Sequence, residues 1–119
     1  MCTGLILKES LESSDVFLDD RITITKEEIW NIGKRAVDWQ PKVWTAIYIE
    51  GADEDIEDIA VIISNSILDK WYANLSDSKT EYVIFQNKIF SYAKGDGDTK
   101  QEARNYGKSI GVPEHQLSW

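Results

Sequence analysis

The side chains that most often carry acid–base or nucleophilic chemistry are nearly missing from this sequence. Its single histidine, His115, lies in the polar segment Pro113-Glu114-His115-Gln116. Its single cysteine, Cys2, has no basic or histidine neighbour in sequence to lower the thiol pKa. A lone histidine in such a segment is far more often a surface residue than a general base, and a thiol without a cationic neighbour is inert. One cysteine also excludes an intramolecular disulfide and every multi-thiolate zinc pattern. No catalytic residue and no cofactor are expected, and the balance of residue types is against an enzyme.

Carboxylates, by contrast, are abundant and unevenly placed. Of the net charge of −8, residues 1–42 contribute −2 and residues 70–119 contribute +1, whereas the stretch from Val43 to Asp69 holds seven acids and no base and contributes −7. Its densest part, Glu50 to Asp58, invites a calcium-loop reading. That reading fails: counted from Asp53, the sixth position is Asp58 where glycine is needed, and the twelfth is Ser64 where glutamate is needed. No metal ligand set is therefore expected. Such an acidic patch repels phosphate backbones, which disfavours direct nucleic-acid binding, and its natural complement is a basic protein partner or a cation. Gly95-Asp96-Gly97-Asp98 precedes a helix, but its aspartates oppose a phosphate and neither common phosphate-loop pattern is present.

The elements that must position these groups are legible in part. At 119 residues and 42% hydrophobic composition, the chain suits one domain, residues 1–119, with a single core. The clearest element is a helix over about residues 53–68. Ile56, Ile59, Ala60, Ile63 and Ile67 recur on one face, Glu54, Glu57, Asp58 and Asn65 fall opposite, and Asp53 is a candidate N-cap. A second helix over about 99–110 starts at Asp98 or Thr99, turns Ala103, Tyr106, Gly107 and Ile110 inward, and stops at Gly111 before Pro113.

Strands are expected at Leu5–Leu7, Val43–Ile49, Trp71–Leu75, Glu81–Phe85 and Lys88–Ala93, with turns at Ser76–Lys79 and Gln86-Asn87. The continuous apolar run Tyr82 to Phe85 marks a strand covered on both faces. Between Arg21 and Ile32 two patterns compete. Ile22, Ile24, Trp30 and Ile32 alternate as in a half-buried strand, while Thr25-Lys26-Glu27-Glu28 has the form of a helix capping box. The strand is favoured, leaving 26–37 ambiguous and Gly33–Pro41 a loop. The sum is an α+β domain, a mainly antiparallel sheet with two helices packed on it, most simply on one face.

Two surface features bear on function. Val61 falls on the polar side of the first helix among Glu54, Glu57 and Asp58, with Ile62 on the flank, and an apolar spot ringed by acids has the form of a protein-binding centre and rim. The competing reading is that another segment covers it. Trp39, Trp44, Trp71 and Trp119 have the core as their default place. Trp44, Tyr48, Tyr72 and Tyr92 would line any pocket between sheet and helices.

The segments Trp71-Tyr72-Ala73-Asn74, Phe90-Ser91-Tyr92, Tyr106-Gly107-Lys108-Ser109 and Val112-Pro113-Glu114-His115-Gln116-Leu117-Ser118-Trp119 resemble a pattern in small uncharacterised bacterial proteins. In size, acidity and lack of catalytic groups the chain is also similar in character to immunity proteins of bacterial toxin systems. That likeness implies a cytoplasmic protein that neutralises or docks on a basic partner, such as a toxin. A cytoplasmic place also fits the lone cysteine and the absence of any apolar run near the roughly 18 residues of a membrane span, so no membrane partner is expected. Two alternatives stand beside this one: a small-molecule-binding domain or minor enzyme with an aromatic pocket, and a structural subunit of an oligomer paired through a sheet edge.

Overall fold

The run Tyr82-Val83-Ile84-Phe85 explains the architecture, because successive side chains of a strand point to opposite faces and all four are buried. A computed structural model describes residues 1–117. In it, six strands form one antiparallel sheet: β1 (Cys2–Leu7), β2 (Thr23–Asn31), β3 (Val43–Gly51), β4 (Ala73–Ser76), β5 (Thr80–Phe85) and β6 (Lys88–Ala93), in the order β2-β3-β1-β4-β5-β6. Two α-helices complete it, α1 (Ile56–Ser66) and α2 (Gly97–Ser109).

The helices lie on opposite faces of the sheet, not together on one. Tyr82 and Ile84 join Ile59, Ile63 and the rest of α1 in the larger apolar cluster, whereas Val83 and Phe85 join Ala103 of α2 in the second. With apolar residues on both faces of β5, a helix on each side is the arrangement that buries all of them. On the α1 face, Ser64 Oγ donates to Phe85 O at 2.7 Å. Gly51 lets α1 come close: a Cβ there would stand 2.5 Å from Ile59 Cδ1 and 2.9 Å from Arg21 O. Gly51→Ala is therefore expected to destabilise the fold by about 1–3 kcal/mol through overpacking, read as a lowered melting temperature.

The strand reading of residues 21–32 holds for Thr23–Asn31, and the capping-box alternative does not. Its alternation, however, is broken by a bulge at Thr25, since the pairing shifts between Ile24/Ile49 and Lys26/Tyr48. One extra residue reverses the phase. Ile24 and Ile29 therefore face the α1 side, and Trp30, opposite Trp44, faces the α2 side.

Helix boundaries differ from expectation for local reasons. Asp53–Asp55 form a 3-10 turn, so α1 proper starts at Ile56. Asp53 caps nothing by its side chain; it pairs with the N-terminal amine of Met1 at 3.3 Å. At α2 the cap is Asp96, whose carboxylate accepts from Thr99 N at 3.2 Å and from Thr99 Oγ1 at 2.8 Å, which starts the helix two residues early. Gly111, at φ +101°, ends it in the left-handed conformation that glycine favours, with Val112 N bonded to Gly107 O.

Candidate functional site

Two surfaces on opposite faces of the sheet combine chemistry that the sequence keeps apart. The first is built on α1. Residues Ser10 to Ile22 run antiparallel beside the helix: a bridge between Leu11 and Ile67 and the bond from Glu12 N to Ser66 O tie one end, and an ion pair from Arg21 Nη1 to Asp58 Oδ2 at 3.2 Å ties the other. Within this segment the 3-10 helix Ser14–Leu18 buries Val16 and leaves Leu18 77% exposed.

The segment carries Glu12, Asp15, Asp19 and Asp20, so its acids add to the exposed Glu54, Glu57 and Asp58 of the helix side. Arg21 is the one base in residues 10–22, and it is engaged by both Asp19 and Asp58. Hydrogen bonds from the Arg21 side chain and backbone hold the Asp19 carboxyl well below the usual range, at about 2. Val61 is 49% exposed, so no other described segment covers it, while Ile62 is half-buried against the core. The five residues expected at a partner surface thus share one layer, with Ile62 acting mainly as packing. Leu18 and the four acids of residues 12–20 were not foreseen there, because only the antiparallel docking of that segment brings them to α1.

The second surface is the part of the opposite face that α2 leaves open. A cleft of about 540 Å³ lies there. Leu5, Leu7, Trp44 and Asn74 form its floor, with Trp30, Trp71 and Tyr72 around them. Its far wall is made by residues distant in sequence. Gln40 and Gln116 exchange amide hydrogen bonds at 2.9 and 2.7 Å, His115 donates from Nε2 to Arg35 O at 2.8 Å, and the Tyr72 hydroxyl donates to Gln116 O. Trp44 donates from Nε1 to Pro41 O at 2.7 Å, and Trp71 packs edge-on against both Trp44 and Trp39, with ring centroids 5.3 and 5.6 Å apart. Trp39 is partly exposed, Trp44 and Trp71 are buried, and Trp119 lies outside the described residues.

The four aromatics expected to line one pocket all occupy this face but not one cavity. Trp44 and Tyr72 line the large cleft, Tyr48 a neighbouring hollow, and Tyr92 a third beside Glu81 and Lys100. Tyr48 and Tyr92 are moreover engaged. A hydrogen bond to Glu28 pushes the Tyr48 phenol up, and burial, with a bond to Glu81, pushes the Tyr92 phenol to about 12, so both stay neutral at ordinary pH. The polar cleft residues Arg35, Lys70, Asn74, His115 and Gln116 were not foreseen there. The run Lys70-Trp71-Tyr72, which sets a cation beside two aromatics, was the available local sign.

Cys2 is fully buried on the α1 face, where burial and the charge of Asp53 push its thiol up, and His115 belongs to the other face. Among the described residues, no three His, Cys, Asp or Glu side chains converge as metal ligands, and no helix is long and apolar enough to cross a membrane. The free edge at β2 carries Lys26, Glu27 and Glu28 together with its bulge, devices that oppose pairing with a second sheet. No family model, curated protein or solved structure matches the chain.

Proposed function

We propose that this protein is a binding protein that docks on a basic protein partner through the α1 layer, with neutralisation of a bacterial toxin as its sharpest form. The observation that carries this reading is the convergence of two acidic segments around exposed aliphatic side chains. Glu54, Glu57 and Asp58 on one side and Glu12, Asp15, Asp19 and Asp20 on the other flank a layer from which Val61 and Leu18 project. The field of these carboxylates would draw a basic surface into encounter, and desolvation of the aliphatic groups would hold it there. If the partner were a nuclease, covering its phosphate-binding surface would suffice for inhibition.

The test compares the wild-type chain with a Glu54→Gln, Glu57→Gln, Asp58→Gln variant as baits in an extract of the source cells. A basic protein retained by the wild type and depleted on the variant is the expected result. Equal retention on both baits, or no basic protein on either, contradicts the reading. Both proteins should melt alike to within about 1 kcal/mol, because exposed charges away from the core alter stability little.

A further inference from the structure

The cleft on the face opposite α1 has a charge that the chain as a whole does not. In a protein of net charge −8, no carboxylate of the described residues lines it, and its charged side chains among them are Arg35 and Lys70. Among the described residues the Arg35 guanidinium and the Asn74 side-chain amide donate to no other group. Lys70 Nζ lies 5.6 Å from the centre of the Trp39 ring, a contact that places the ammonium without using its donors. Arg35, Lys70 and Asn74 thus line one space, and among the described residues their side-chain donors have no hydrogen-bond acceptor. Around them the apolar lining that keeps exposed area is the half-buried Leu5, Leu7, Trp30 and Tyr72, while Trp44 and Trp71 are almost wholly buried.

The shape is held in advance. The Gln40–Gln116 pair, the bond from His115 to Arg35 O and the bond from Trp44 to Pro41 O fix both walls, so a ligand would meet little ordering cost. A volume of about 540 Å³ falls within the range of sites for small organic ligands.

We propose that this cleft binds a small aromatic carboxylate, its acid group held by Arg35 and Lys70 and its ring resting on Trp30 and Tyr72. Guanidinium and ammonium donors favour a carboxylate through charge-assisted hydrogen bonds, and the half-buried rings of Trp30 and Tyr72 supply the area that a flat ring buries. The site is separate from the α1 surface and does not depend on it.

The test is an NMR titration of the full-length ¹⁵N-labelled chain with three probes of the same shape: 2-naphthoate, the neutral 2-naphthamide and the cationic 2-naphthylmethylamine. Saturable shifts of the Trp30 indole N–H peak are expected with 2-naphthoate, binding at least about tenfold weaker with the amide, and none with the amine. Arg35→Gln, at an exposed side chain, should weaken 2-naphthoate at least about tenfold and leave the amide unchanged. Lys70→Gln serves the same comparison should Arg35→Gln fail to fold. Equal binding of carboxylate and amide, shifts confined to other residues, no response up to about 5 mM, or a substitution without effect on 2-naphthoate overturns the proposal.

Discussion

Replacing Phe85 by alanine is expected to cost about 3–5 kcal/mol, a large part of the stability of a domain this size and enough to lower the melting temperature by about 10–20 °C. Phe85 is fully buried near the end of β5, with Tyr106 at 4.9 Å and Tyr72 and Phe90 both at 6.0 Å between ring centres. It also touches the backbone of α2, since a Cβ on Gly107 would lie 3.4 Å from its ring. Removing the ring would open a cavity beneath α2 that this helix cannot close by itself, because the Gly107 face is also occupied by Leu117. The natural control is Ile29→Ala at the free edge. Ile29 is 70% exposed, and its loss should change stability by no more than about 0.5 kcal/mol. Thermal melts of the two variants decide the matter. Comparable melting temperatures would mean that the second apolar cluster contributes far less than its burial implies.

Val61→Asp is expected to act on binding and not on folding. Val61 is half exposed on α1, so an aspartate there loses little buried area, and valine and aspartate have nearly the same helix propensity. In the complex the same change would set an unpaired charge in the desolvated centre of the contact, raising the dissociation rate by about tenfold or more while the association rate changes little. A melting temperature that collapses would show that Val61 is packed in the folded protein. An unchanged dissociation rate would place the contact elsewhere.

How much of this was readable in the residues differs from element to element. The first helix was clear because five apolar residues keep a 3.6-residue period. Both ends departed: Asp53-Glu54-Asp55 wind as a 3-10 turn, and the helix stops at Ser66, where Ile67 turns extended and bridges Leu11. Tyr82 to Phe85 announced a strand covered twice, which already argued against helices on a single face, yet periodicity within one strand does not say which helix covers which side. The bulge at Thr25 was invisible because an alternating pattern carries no mark of an extra residue until its partner strand is known. Trp44 and Tyr72 were foreseen as pocket residues, being large aromatics in or beside strands. Arg35 and His115 were not, because they meet only through contacts spanning about 80 positions. For the same reason nothing in the sequence marked the acids of residues 12–20 as neighbours of α1.

The central claim is that the carboxylates of the α1 layer draw in a basic partner, and the rate of association measures this most directly. Binding of the captured partner to the wild-type chain and to the triple glutamine variant would be followed at about 20 mM and about 200 mM salt, where the screening length falls from roughly 20 Å to below 10 Å. The account predicts that wild-type association is fast at low salt and falls by about tenfold at high salt, while the variant starts slower and depends less on salt. Association rates that are the same for both proteins at both salt concentrations would contradict it.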